Sequence, residues 1–452
     1  MKQGARMSLA LNLFHATELE AHTLGEGALR GAELASMLAS GTGDIKERLK
    51  RLLADPAGQR ALFASLRAFA PNLATDKTLI TAYPCNGTVI VSRADDVREV
   101  LDRQDDFEVV YEPKMRKITG GVNFFLGMQD DADYQRDTSI MRLAAQRGDV
   151  ADIVVPQARE AARQIITHHS KTIDLPQVLT TVVPALMVQR YFGIDTASVE
   201  DLREWATAMF WYLFVDLQGD PDIEKKALDC AARCLVAIDA AIAKAEANAD
   251  GPVTVLKRAI ALRDAGTGGF EGSGIRNNMI GLVIGAIPTI SKACVQALDG
   301  LLDRPDVLAR TQAAAASSDE HAVGCAVFEA LRFNPVNPVI YRRAARDCEI
   351  ASGTTHACRV KKDTMVLASN LSAMFDPAAV DDPDAFRMDR PWNVYMLWGY
   401  GLHRCFGDVI NRGIIPALLT PLLAGTPLAR AGGDAGHPDK VTPFPQHFTV
   451  MR

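Results

Sequence analysis

The sequence predicts a mainly helical chain with small β-sheets, an α+β fold organised as one domain over residues 1–452. Three observations carry that reading. Amphipathic stretches at helical spacing fill most of the chain. β-rich pieces are short and gather in the N- and C-terminal thirds. No repeat, low-complexity tract or Pro/Gly/Ser linker divides the sequence. The composition, 48% hydrophobic and 23% charged with 33 Gly and 22 Pro, is that of a globular chain, and it excludes disordered, collagen-like and disulfide-scaffold classes.

Taken in order, residues 1–74 form an N-terminal extension with the first helices. The apolar run Ser8 to Phe14 behind Lys2 and Arg6 is too short for a signal-peptide core. Asp44 to Leu53 and Gln59 to Phe69 read as two short helices. Thr78 to Tyr83 and Thr88 to Val91 read as strands around Asn86-Gly87, a dipeptide that favours a tight hairpin. Ser92 to Asp95 has the spacing of a capping box opening a helix through Leu101. Longer helices follow over Val155 to His168, Leu175 to Phe192, Leu202 to Phe214 and Ile223 to Ala247. Gly274 to Leu302 supports a single helix of roughly 43 Å at 1.5 Å per residue. Its most apolar part, Met279 to Ile290, ends at Ser291 and Lys292 and is too short to span a membrane, which calls for about 20 residues. Late strands are expected at Cys348 to Ala351, Thr364 to Ala368 and Phe448 to Met451.

Chemistry concentrates at Trp398-Gly399-Tyr400-Gly401-Leu402-His403-Arg404-Cys405-Phe406-Gly407. Glycines let the backbone fold closely against a flat object. The helical pattern that follows puts Cys405 near a helix mouth, where dipole and free amides favour a thiolate suited to metal ligation. Upstream, Glu329 and Arg332 share one face of a helix that ends at Asn334-Pro335. Their apolar flanks predict a buried pair whose further partner comes from the segment 382–391.

With these motifs in hand, the chain resembles the cytochrome P-450 superfamily from about residue 75 to its end. The resemblance rests on the GxGxHxCxG loop, on Glu329 and Arg332, on Phe386, Arg390 and Pro391, and on the long central helix. Arg342 to Asp347 also fits the family's strand after the ExxR helix. It implies a single triangular, helix-rich domain holding heme b between the central helix and the Cys405 loop. Cys405 would be the axial thiolate ligand of the iron, pushing electron density toward it. His403 and Arg342 would hold propionates, and Trp398, Gly399 and Ala286 would be further haem contacts. Trp398 stands where the family usually has phenylalanine and is expected beside the sulfur. Glu329, Arg332 and Arg390 would form a structural triad. Tyr134 and Arg136 fall where many members place a propionate-binding histidine, and neither enters the expected site.

One departure stands out. The family usually carries an acid and then a threonine on the central helix, a pair that helps deliver protons during dioxygen activation. Here Pro288 takes the acid's place and Thr289 is kept, so these two are the expected catalytic positions. Phe210 and Phe214, with Phe124 and Phe125, are expected around an apolar, fatty-acid-like substrate. The leading expectation is a monooxygenase fed by a separate ferredoxin or flavodoxin and reductase, docked near Arg404 and Arg412. A peroxygenase or hydroperoxide isomerase is the enzymatic alternative, and a haem-based sensor the alternative of another class. The net charge of −6 argues against a nucleic-acid partner, and eight scattered cysteines argue for a reducing, cytoplasmic setting. Cys230-x3-Cys234 has no histidine nearby in sequence and is not expected to hold zinc.

Overall fold

The computed structural model describes residues 2–40, 44–169, 171–248 and 250–452; side chains are described at all of these except 2–19, 40, 45–47, 49 and 50. Its contacts group into two compact units. The first comprises 1–79, 85–108 and 332–402, the second 80–84, 109–331 and 403–452.

The first unit opens with the helix Lys2–Ser40, which contains the Ser8 to Phe14 run; those side chains lie outside the described residues. This helix packs on Pro56–Phe69, where Gly27 permits the approach: a Cβ there would sit 2.2 Å from the Ala68 methyl. The pair is locked by Arg67, 1% exposed, which reaches Glu26 at 3.3 Å and the Ser372 hydroxyl at 3.0 Å.

A five-stranded sheet follows, with β1 Asn72–Thr75, β2 Thr88–Val91, β3 Phe107–Glu108, β4 Ile340–Ala344 and β5 Met365–Ala368. The order is β1-β2-β5-β4-β3, with β2 and β5 parallel and the other pairs antiparallel. Val89, Val91, Val97, Leu101 and Phe107 form the apolar layer beneath it.

Two expectations fail here. Thr78 to Tyr83 is not a strand. β2 pairs with Asn72–Thr75 instead, Thr75 opposite Thr88, so the tight Asn-Gly hairpin does not form. The Asn86 amide donates to the Asp363 carbonyl at 2.9 Å, leading the chain into the sheet. Ile80 and Tyr83 are apolar because they are buried, not because they pair. The capping box fails as well. Ser92 is buried and its hydroxyl donates to the Pro71 carbonyl, so the helix Ala94–Asp102 is capped by a residue far along the chain: the Ala94 amide donates to the Asp376 carboxylate at 2.8 Å.

Arg332 ends the helix Glu320–Phe333 and is completely buried, as is Glu329 three residues before it. Its guanidinium donates to the Met374 carbonyl at 3.0 Å and the Ala385 carbonyl at 3.2 Å. It lies against the rings of Phe333 and Phe375, 4.6 and 4.4 Å from their centroids. Arg390 donates to the same Ala385 carbonyl at 2.8 Å and to the Asp381 and Asp382 carbonyls. The Ala385 carbonyl, in the segment expected to supply the pair's partner, thus takes both arginines.

In the second unit, helices run Val155–Thr167, Val199–Phe210, Pro221–Ala247, Gly274–Leu302 and Asp408–Leu423. Ser198 and Asp220 cap two of them through side-chain oxygens. The single helix expected over 175–192 is instead an α-helical core, Val182–Met187, between π-helical turns. Pro184 has no N–H for the Thr180 carbonyl, so the hydrogen-bond ladder must shift there. The helix Val199–Phe210 likewise widens into a π-turn at Trp211–Val215. A small sheet joins Thr172–Asp174, Thr449–Met451 and Ala429–Arg430.

The central helix Gly274–Leu302 runs unbroken through Pro288. It is long and apolar enough to cross a membrane, but 83% of its most apolar window is buried within the fold, which makes it a core helix.

Two substitutions check this account. Arg332→Ala strips donors from buried carbonyls and leaves a cavity. It should cost about 3 kcal/mol or more, read as a lower denaturant midpoint and poor recovery. Asp376→Ala should cost about 1 kcal/mol through the lost cap; an unchanged midpoint would show the cap to be dispensable.

Candidate active site

The loop 398–407 passes from the first unit to the second at residues 402 and 403. In the first unit, Gly399 and Gly401 adopt φ values of 80° and 68°. At Gly401 a Cβ would also meet the Leu101 carbonyl at 2.9 Å and an Asp102 carboxylate oxygen at 2.5 Å, so only glycine fits. Trp398 stacks on Trp392, centroids 5.6 Å apart. Arg342 sits on β4, buried, and donates to the Tyr341 carbonyl at 3.1 Å.

On the second unit, the His403 ring lies 4.8 Å from that of Tyr134, the position left out of the expected site. Arg136 is engaged instead by Asp133 and Asp137. Phe406 packs on Phe125 at 5.3 Å, with the Arg142 guanidinium 5.0 Å from the Phe406 ring centroid. Asp408 opens the following helix and holds Arg404 at 3.0 Å and Arg412 at 3.7 Å.

Cys405 is a free, solvent-exposed thiol. Protein atoms crowd it closely, and that desolvation pushes its pKa up to about 11 against the weaker opposing pull of the Gly407 amide. The expected pull of the helix mouth on the sulfur is thus opposed by desolvation. A bound metal cation would supply the charge that removes its proton.

The central helix presents the second half of the site. Nearly all its residues are buried between 277 and 298, yet Gly285 is exposed, and a Cβ there would meet nothing within 4 Å. Thr289, one turn on, touches solvent and donates its hydroxyl back to the Gly285 carbonyl. Ala286 and Pro288 are buried beside this bare face. Phe124 packs against Gly281, where a Cβ would come 2.8 Å from its ring. Phe124 and Phe125 are thus buried walls of the unit. Phe210 contacts Phe214 at 4.7 Å and Phe444 at 5.5 Å.

These features suit a haem. A free accessible thiol can ligate iron, and a helix face stripped of side chains at Gly285 can take a flat macrocycle. Among the described residues, no group of three His, Cys, Asp or Glu side chains offers another metal site. Cys230 and Cys234 are both buried, with burial raising each thiol's pKa.

Sequence reasoning missed Asp408, Phe444 and Lys292. Phe444 becomes visible only through contacts distant in sequence, whereas Asp408 lies four residues from both Arg404 and Arg412. Lys292 did carry a signal, a charge inside the longest apolar helix, but it read as the end of the apolar run.

The sequence profile of the family described as Cytochrome P450 matches residues 83–424. Putative cytochrome P450 141 of Mycobacterium tuberculosis is 22% identical over 339 residues, 74% of this chain and 80% of that protein. Putative cytochrome P450 YjiB of Bacillus subtilis is 25% identical over 279 residues, 60% of this chain and 66% of that one. A shorter stretch of 78 residues is 37% identical to linoleate diol synthase of Gaeumannomyces graminis, 17% of this chain and 7% of that protein. Among solved structures, the P450 heme domain of Tepidiphilus thermophilus superposes with a TM-score of 0.72 at 19% identity, covering 88% of this chain and 94% of that one. With a profile that runs from Tyr83 through the Cys405 loop and a fold that matches, this chain belongs to the cytochrome P450 family.

Proposed function

We propose that this chain is a haem-thiolate monooxygenase that hydroxylates an apolar, fatty-acid-like substrate with dioxygen. The observation that carries the reading is the presence, within one unit, of both the accessible Cys405 thiol and the bare Gly285–Thr289 face of a buried helix. When bound, haem with a thiolate ligand supplies the oxygen-activating chemistry that C–H hydroxylation requires. The match of the family profile across both units supports reading the chain as one catalytic domain.

The chain's own residues have distinct tasks. Cys405 offers the sulfur. His403, steadied by the Tyr134 ring, is the proposed donor to a propionate. Phe210, Phe214 and Phe444 exclude water and favour an apolar ligand. Thr289 holds the one hydroxyl of the bare face. Turned off the Gly285 carbonyl, it would present a proton there, a task Pro288 cannot share.

Electrons are proposed to come from a separate ferredoxin or flavodoxin and its reductase. Arg404 and Arg412 share the single carboxylate of Asp408, and the Arg147 charge also acts on Arg412. This cluster of arginines is suited to an acidic partner. All eight cysteines are free thiols, which supports a reducing, cytoplasmic setting.

Pro288 favours a second reading, a peroxide-using peroxygenase or hydroperoxide isomerase, because that chemistry does without the carboxylate proton relay. Thr289→Ala separates the two. For the monooxygenase, reductant is still consumed while product falls by about 10²-fold. Peroxide-driven turnover that survives the substitution, together with no reductase-driven product from the wild type, would establish the alternative. Pro288→Asp restores an acid and a helix N–H, and should raise product formed per reductant consumed if the missing carboxylate limits the enzyme.

A further inference from the structure

The central helix breaks its burial along one line only. Between residues 277 and 298, only Gly285, Thr289, Lys292 and Gln296 are not buried. At 100° per residue these four fall within about 60° of one another, a single stripe. Lys292 stands about 4.5 Å further along the axis than Thr289. Helical side chains lean toward the N-terminus, so its four-carbon arm leans back toward the Thr289 end.

The ammonium ends against aromatic rings. Lys292 Nζ lies 5.8 Å from the Phe444 centroid, and Phe444 in turn contacts Phe210. Among the described residues, no hydrogen bond or ion pair is found for Lys292. Burial alone pushes its pKa down to about 8, with no acid pulling the other way. Lys114 shows how this unit satisfies a buried lysine: Asp216 lies 3.2 Å away, and the Tyr212 and Asp216 carbonyls accept two further bonds.

We infer that Lys292 is a specificity-determining residue that anchors the carboxylate of an amphiphilic, long-chain acid, whose apolar chain lies along the Phe210–Phe444 wall toward the Gly285–Thr289 face. One ammonium compensates one negative charge, which suits a monocarboxylate. A phosphate head would leave charge unmatched, since no second cation acts on this position. An ionic hydrogen bond in so apolar a setting is strong, because little water competes. This rests on the apolar-substrate reading above and adds the head group that Lys292 selects.

The test is calorimetric titration of the haem-loaded enzyme with dodecanoic acid and with its methyl ester. The wild type should bind the acid about 10- to 100-fold more tightly than the ester, the range for a charged hydrogen bond. Lys292→Met should abolish that preference and Lys292→Arg should keep it. If Lys292→Met does not fold, Lys292→Gln reads the same quantity. A Lys292→Met or Lys292→Gln enzyme that still prefers the acid overturns the anchor, as does a wild type that binds both alike. A wild type that binds neither overturns the anchor and the apolar-substrate reading together.

Discussion

The structure depends on one constraint: a helix of 29 residues, Gly274–Leu302, has to be buried on nearly every side. A helix so enclosed must be apolar all round, so each exception is informative. Packing partners are admitted where side chains are small, as when Phe124 closes on Gly281. Among its buried polar residues, Ser291 is satisfied by the Thr180 hydroxyl at 2.8 Å. What is left is the stripe from Gly285 to Gln296, and every chemical role proposed for the helix falls on it.

Desolvation decides the charges. Four buried or largely buried cations meet it in different ways. Arg67 takes Glu26 and Ser372, Arg332 takes two carbonyls and two rings, and Lys114 takes Asp216. Lys292 has only the edge of an aromatic cluster. At Cys405 the same effect pushes the thiol's pKa up, and a bound metal cation would pull it back down. Local signals such as dipole, cap or charge thus set a tendency that the surrounding density of protein can reverse.

That reversal also explains what was legible in the sequence. The bounds of Gly274–Leu302 were readable because a buried helix needs an uninterrupted apolar pattern, and the Cys405 loop was readable because few sequences place glycines, histidine and cysteine at that spacing. The fold class followed from the same patterns. The hairpin at 78–91 was misread because burial of Ile80 and Tyr83 imitates strand pairing. The cap of Ala94–Asp102 was invisible because its carboxylate comes from Asp376. Lys292 was visible but looked like punctuation, since sequence alone does not say whether a charge at the end of an apolar run faces water or rings.

The central claim is that Cys405 binds haem iron through its sulfur, and the ferrous carbon monoxide spectrum tests it most directly. The wild type should give the strongly red-shifted Soret band of thiolate ligation, and Cys405→Ala should lose it. A Cys405→Ala protein that kept that band would contradict the account, because the sulfur would then come from elsewhere.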